Sequence, residues 1–355
     1  MFDVIGKRRW FYLVSALLTI PGLIFILLSP FTDAGLQLTI DYTGGTRWEI
    51  KFADPNVTPA QVEEVFAEND LDATAIRTES GFIEIKTEPI GLVVESPAPS
   101  ASPAPSASAS PGTSASPEPS ASPAAPSGNT ELPTDGKLGE MVTALESRLG
   151  EIDEQRSLTT IGAVVSSDLL RQALILIVVG SLGIVSWITY RFRDVKFGVT
   201  ALVSLLHDVI VVVGAFAILG TFFHVEIDAL FVTAMLTVIG FSVHDTIVVF
   251  DRIRENKARH LGEPFDEIVN HSILQTFARS IMTSLTVVLT LLALFLFGGS
   301  AISDFVLALL IGIMIGTYSS IFVASPLLVD WQAWEDRRHG RQPATRAPRA
   351  RRATS

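Results

Sequence analysis

Six stretches of this sequence are apolar over helical lengths: about 11–29, 169–190, 197–219, 226–250, 278–298 and 305–329. A bilayer core of roughly 30 Å is crossed by about 20 apolar residues in α-helical form. A single such stretch could be a buried helix of a soluble protein, but six in a chain of 355 residues leave too little chain to enclose them. The composition agrees, with 48% hydrophobic residues and a mean hydropathy of +0.42. The chain reads as a polytopic α-helical membrane protein.

Basic residues orient the spans. Lys7, Arg8 and Arg9 precede the first, and Arg191, Arg193 and Lys196 lie between the second and third. Arg252, Arg254, Lys257 and Arg259 follow the fourth, and Arg337, Arg338, Arg341, Arg346, Arg349, Arg351 and Arg352 follow the sixth. Every second loop is basic, so the positive-inside rule predicts that these loops and both termini are cytoplasmic. The other side then holds two short turns, near 220–225 and 299–304, and one long segment, residues 30–168. The net charge of -11 accordingly belongs to an acidic external domain. A signal-peptide reading of the first span would break the alternation, so it is expected to be an uncleaved anchor, with residues 1–10 before it and a basic tail at 330–355. With no cysteine, the external domain has no disulfide framework and thiol chemistry is excluded.

Within the external segment, "TRWEIKF" alternates, with Trp48, Ile50 and Phe52 on one face and Arg47, Glu49 and Lys51 on the other, which predicts a half-buried strand. Thr58, Pro59 and Gln61 form a helix start with a capping box, and Val62, Val65 and Phe66 give that helix its apolar stripe. "GFIEIKT" at 81–87 predicts a second strand, entered through a turn at Ser80-Gly81. Leu138, Met141, Val142, Leu145 and Leu149 mark a second helix ended by Gly150. Together these predict a small α+β sandwich with helices on one sheet face. A Ser/Ala/Pro-rich insertion at about 96–128 interrupts it; lacking an apolar period, it is expected to be disordered, as a tolerated loop or as a spacer or glycosylated stalk.

Polar residues inside the spans point to function. A charge at mid-bilayer costs at least about 2.5–3.5 kcal/mol, and such groups normally face the bundle interior and serve a pathway or an ion pair. Asp208, preceded by His207, lies in the third span, Asp245, preceded by His244, in the fourth, and Arg279 at the inner end of the fifth. Arg279, Thr283, Thr286 and Thr290 fall at i, i+4, i+7 and i+11, one polar stripe along a helix. Thr233, Thr237, Gly240 and His244 make a similar line, with Asp245 one step around. The hydroxyls alone could be packing contacts. The acid and the arginine could be a static buried pair or a titrating pair on a proton route, for which carboxylate, imidazole and hydroxyl are suitable parts. His207 and His244 as metal ligands would lack a close acidic cluster. Ala308, Gly312 and Gly316 form a small-xxx-small ridge expected to pack closely against another helix.

"LTIDYTGGTRWEI", "GFSVHDTIVVFDRIREN", "NHSILQTFARSIMTSLT" and "GTYSSIFVASPLL" together resemble the SecF family, in this order and topology, over the whole chain apart from the insertion and the basic tail. That family forms the smaller membrane subunit of the SecD–SecF protein-export complex, within the resistance-nodulation-division (RND) superfamily. The resemblance implies a six-helix half of an RND-type transmembrane domain with one small external α+β domain, in the bacterial cytoplasmic membrane. It implies SecD as the pseudosymmetric partner, and SecYEG with SecA, YajC and YidC, membrane lipid and translocating secreted polypeptides as further partners, with no nucleic acid and no enzyme activity. No cofactor is implied; the proton gradient is the energy source.

Carried over, the family's intramembrane acid falls on Asp245 and its arginine on Arg279, both working with an aspartate of SecD. From their own positions in the spans, and not from the family, Thr283 and Asp208 are expected to join the proton pathway. His244 stands where the family usually has asparagine, either adding a relay step or replacing an amide hydrogen bond. The family signature after the first span falls on Asp41, Gly44 and Gly45, whose glycines suit a tight turn. Two other classes compete. An intramembrane aspartyl protease would use Asp208 and Asp245, but its glycine-x-glycine-aspartate context is replaced by "FSVHD". A proton-coupled exporter of drugs or lipids would normally carry about twelve spans in one chain.

Overall fold

The structure is a computed structural model describing residues 3–32, 34–78, 81–90, 132–134, 136–260, 262–299 and 302–339. The insertion at 96–128, Ser80 and the basic tail beyond 339 lie outside these residues. In chain order the elements are α1 (Arg8–Leu28), β1 (Gln37–Leu38), α2 (Ile40–Thr43), β2 (Gly45–Phe52), α3 (Pro59–Glu68), β3 (Ala73–Arg77), β4 (Ile83–Thr87), α4 (Gly136–Leu149) and β5 (Ile152–Ile161). There follow α5 (Ala163–Phe192), α6 (Val195–Phe223), β6 (Glu226–Ile227), α7 (Ala229–Arg259), α8 (Phe265–Phe297), α9 (Ser303–Ser319), a π-helical turn (Ser320–Ala324) and α10 (Ser325–Arg338). They fall into two compact units, residues 1–39 with 169–355, and residues 40–168.

The first unit is a helical bundle in which, among the described residues, six helices are long and apolar enough to cross a membrane, the last being α9, the π turn and α10 run together. The helices extend past the apolar stretches at their basic ends. α8 begins at Phe265, well ahead of 278, because Ile268, Val269, Ile273 and Thr276 bury one face while Asp266 and Glu267 sit favourably in the first turn. The fourth span starts later than its apolar run: Glu226 and Ile227 pair in parallel with Gln37 and Leu38, and Asp228 then caps α7 by accepting from Phe231 N at 2.9 Å. Asp194 caps α6 in the same way, accepting from Lys196 N.

α6, α7 and α9 form the centre, while α1, α5 and α8 present rows of exposed apolar side chains such as Leu17, Ile24, Val178, Leu182, Leu289 and Leu296. At one end of the bundle Phe192 and Phe197 stack and Phe250 meets both edge-on, with centroids 5.0–6.0 Å apart. α9 closes on α7 where side chains are small. A Cβ on Gly312 would overlap Val238, and one on Gly316 would stand 2.9 Å from Ser242 Cβ, so the ridge of Ala308, Gly312 and Gly316 is a helix-packing seam. A second close crossing, with no counterpart in the expectations above, joins α1 to α6: a Cβ on Gly22 would stand 2.7 Å from Gly214 Cα. The π turn ends at Ala324, just ahead of Ser325-Pro326, and Pro326 has no N–H for the carbonyl four residues back; the chain widens instead, and Ser325 Oγ donates to Ser320 O at 3.0 Å.

The second unit runs β2–α3–β3–β4–α4–β5, an antiparallel sheet in the order β3-β4-β2-β5, which is the ferredoxin-like split βαβ arrangement. β2 alternates as expected, burying Trp48, Ile50 and Phe52 against Val62, Val65, Phe66, Met141 and Leu145 of the two helices, which share one sheet face. Gln61 Oε1 accepts from Thr58 N at 2.8 Å at the start of α3, and Gly150, with φ +100, ends α4. The other sheet face is ionic: Arg47 meets Glu84 at 2.8 Å, with Glu49, Lys86 and Arg156 around them. Burial there pulls the Lys86 ammonium below the usual lysine range, against the opposing effect of Glu84.

Gly44 and Gly45 have φ +75 and +133, and a Cβ on Gly45 would stand 2.7 Å from Thr87 O. They are the turn between α2, where Asp41 lies, and β2. Two strands of this unit were absent from the sequence reading. β3 buries only Ala75 of its five residues and so shows no alternation, and β5 is mostly polar and pairs with β2 through register shifts at Glu49/Ile50 and Lys51/Phe52, which break its alternation.

Candidate functional site

Asp208 and Asp245 are both buried inside the helical unit, 2% and 3% exposed, yet their surroundings differ. Asp208, at the middle of α6, is enclosed by donors. Ser242 Oγ of α7 and Ser319 Oγ of α9 both donate to its Oδ2, at 2.6 and 2.8 Å, and His207 Nδ1 lies 3.1 Å from its Oδ1. A carboxylate so held can remain deep in a helical bundle, because charge-assisted hydrogen bonds replace its water.

The same layer continues through hydroxyls. Ser320, first residue of the π turn, donates to Gly316 O at 2.8 Å and lies 3.0 Å from Thr246 Oγ1, while Thr317 meets Ser284 of α8. On α8 the buried polar residues are Ser272, Thr276, Ser280 and Ser284, spaced four apart.

Asp245 sits at the edge of this layer. Thr317 and Ser280 flank its carboxyl, with His244 and Arg279 the nearby ionisable groups. Its Oδ2 and the Ser280 Oγ are buried without hydrogen-bond partners, and no salt bridge joins Asp245 to Arg279 among the described residues. Beyond this edge the chain is open. Arg279, Thr283, Thr286 and Thr290 of α8 are exposed, as are Thr233, Thr237, Gly240 and His244 of α7.

That placement corrects one expectation. Polar groups in a span were expected to face the interior of the bundle, but both stripes face outward on adjacent helices. The threonine hydroxyls satisfy themselves by donating to the carbonyl four residues back, Thr283 to Arg279 O at 2.9 Å and Thr290 to Thr286 O at 3.0 Å. The guanidinium is left on the open face near Asp245, a buried carboxylate whose Oδ2 has no partner among the described residues. An intrachain ion pair is therefore not formed. The interior role falls to the serines, Ser242, Ser280, Ser284, Ser319 and Ser320, which the sequence reading missed. The four-residue spacing on α8 and the doubled serine before Pro326 are the signals that could have found them.

His207 and His244 do not converge: the first faces Asp208 and the second lies on the open face, and no group of three or more metal-ligating side chains gathers among the described residues.

Residues 142–334 match the family described as protein export membrane protein SecD/SecF, C-terminal. Over 336 residues the chain is 45% identical to a protein of Thermobaculum terrenum named protein translocase subunit SecF, covering 94% of each. It is 34% identical to the protein of the same name from Anaerolinea thermophila, covering 97% of this chain and 100% of that one. Its fold is similar to a crystal structure of the Thermus SecDF, described as a translocon-associated membrane protein, with a TM-score of 0.70 and 29% identity. That likeness covers 94% of this chain and 39% of the SecDF chain.

Proposed function

The chain belongs to the SecD/SecF family of protein export membrane proteins, and from that premise we propose that it is the SecF-type subunit of a proton-driven accessory complex of the Sec translocase. In this reading its multi-pass bundle lies in the cytoplasmic membrane with both termini cytoplasmic, a placement supported by the basic loops. A SecD-type subunit covers the open face of α7 and α8. Support for that partner comes from the SecDF neighbour, in which a chain of this kind is part of a longer one. The SecYEG channel and SecA, with YajC and YidC beside them, follow from the family resemblance.

Asp245 is the proton carrier in this mechanism, and the observation that carries the assignment is its buried, half-unpartnered carboxyl at the rim of an open polar face. Arg279, which pairs with no carboxylate among the described residues, is available to an acid from the partner, so protonation of Asp245 would change which charge the arginine faces. His244 and Thr283 line the approach. Movement of the pairing would shift α7 and α8 against the partner and so drive the external unit to draw an emerging polypeptide outward. Asp208, enclosed by three donors, belongs to the same polar layer behind Asp245.

Asp245→Asn keeps shape and hydrogen bonding but removes titration. Cells depleted of the native subunit and supplied with this variant should assemble the complex and yet lose gradient-driven secretion of a reporter. Wild-type secretion by a normally assembled Asp245→Asn complex would overturn the assignment.

A further inference from the structure

On the side of α6 away from the open face, a second polar line reaches Asp208. Arg8, Tyr12, Ser15 and Thr19 fall at i, i+4, i+7 and i+11 on α1, in a helix otherwise apolar apart from Arg9 at its start. Arg8 Nε pairs with Asp330 Oδ1 of α10 at 2.9 Å, each about one-third exposed, and Tyr12 OH donates to Asp330 Oδ2 at 2.9 Å. One turn deeper, Ser15 Oγ donates to Tyr318 OH at 3.4 Å, and Tyr318 OH donates to Phe11 O. The Tyr318 ring lies 6.4 Å from that of His207, whose Nδ1 meets Asp208. His207 Nε2, in a side chain 10% exposed, and Ser204 Oγ, one turn before it, are both buried without partners. Two such polar atoms on one face of α6 call for water.

We infer that His207 is a proton shuttle connecting Asp208 to the basic end of the bundle through a buried water beside Ser204 and the line Tyr318, Ser15, Tyr12 and Asp330. The inference deepens the proton-driven reading above and rests on it, while using residues that avoid the partner-facing helices. A proton arriving at Nε2 is balanced by the Nδ1 proton passing to Asp208 Oδ1; the imidazole is left as its other tautomer and is reset by the reverse transfer. The titratable and charged groups facing the line are Arg8 and Tyr12 from α1, Tyr318 from α9 and Asp330 from α10. α7 meets Asp208 through Ser242, and its buried acid Asp245 lies one turn further on.

The test is pH-jump infrared spectroscopy on the full chain reconstituted with its partner in vesicles, following the bands of neutral carboxyl groups. One band should vanish in Asp208→Asn and a different one in Asp245→Asn. His207→Gln should keep the Asp208 band but slow its appearance roughly tenfold or more, and free imidazole should restore the rate in His207→Ala. A spectrum unchanged by Asp208→Asn, or wild-type rates in both His207 variants, would overturn the shuttle. If His207→Gln does not assemble, the same His207→Ala sample with and without imidazole decides, and a slowed rate that imidazole leaves unchanged counts against it. The bands are read without transport, so failure of Asp245 as the carrier leaves this measurement standing.

Discussion

Ser242 Oγ donates to Asp208 Oδ2 at 2.6 Å. Ser242 also lies three residues before Asp245 on α7, a rise of about 4.5 Å. One serine thus brings two carboxylates from different spans into a single polar layer, and Ser319 closes it from α9 on the same oxygen at 2.8 Å. The three central helices meet at this carboxylate, so its hydrogen bonds hold the bundle and define the ground behind Asp245.

Removing either donor should therefore destabilise the bundle without touching Asp245. Ser242→Ala and Ser319→Ala are each expected to lower unfolding stability in detergent by about 1–2 kcal/mol. Because both donors share Oδ2, the double variant should depart from additivity. Additive losses would mean that the two hydroxyls do not serve the same oxygen.

The α1–α6 crossing is expected to tolerate no side chain. Gly22→Val or Gly214→Val sets a branched Cβ against backbone atoms, the nearest 2.5–2.7 Å from the added Cβ. Overpacking of this kind typically costs about 1–3 kcal/mol. Both variants should melt earlier and accumulate less in membranes. Gly180→Ala on α5, whose Cβ would have its nearest neighbour at 3.7 Å, should be neutral. Equal behaviour of Gly22→Val and Gly180→Ala would show that the α1–α6 crossing has room for a side chain.

Orientation is open to a direct test, because the chain has no cysteine of its own. Glu64 on α3 and Lys257 near the end of α7 are both exposed. In intact cells an impermeant thiol reagent should label Glu64→Cys, and should reach Lys257→Cys only after permeabilisation. The reverse pattern would overturn the cytoplasmic placement of the basic loops.

Much of this architecture is legible in the sequence, for identifiable reasons. Spans show themselves by length and hydropathy, and α3 by Thr58, Pro59 and Gln61, because these signals are local. β5 escaped because its bulges move Gln155 to the core side, where it accepts from Trp48 Nε1 at 2.8 Å, a polar partner that alternation would place outside. The direction of the polar stripes escaped for a different reason. Spacing shows that Arg279 and Thr283 share a face, but the face that meets the bundle is fixed by neighbours, and those are chosen by Gly312, Gly316 and the serines opposite them. Periodicity cannot distinguish an inward polar stripe from one reserved for a second subunit.

Gly240 offers the sharpest test of what covers that outward face. It lies in the exposed line between Thr237 and His244, and a Cβ there would meet nothing within 4 Å, so the chain's own packing leaves room for a larger side chain. Gly240→Leu should leave the abundance and melting of the isolated chain nearly unchanged. If a SecD-type subunit packs on this face, the added side chain must be accommodated at the interface, and a misfit of about 1–3 kcal/mol lowers affinity by roughly 5- to 150-fold. Gly183→Leu on α5, likewise with nothing within 4 Å of its Cβ, is the matched control on a helix whose exposed side chains are apolar. Co-purification of the partner with each variant, at equal abundance, measures the difference. Loss with Gly240→Leu and retention with Gly183→Leu identifies the α7–α8 face as the contact. Equal retention with both would move the contact elsewhere and leave Arg279 facing lipid, where a guanidinium in a span would need some other anion.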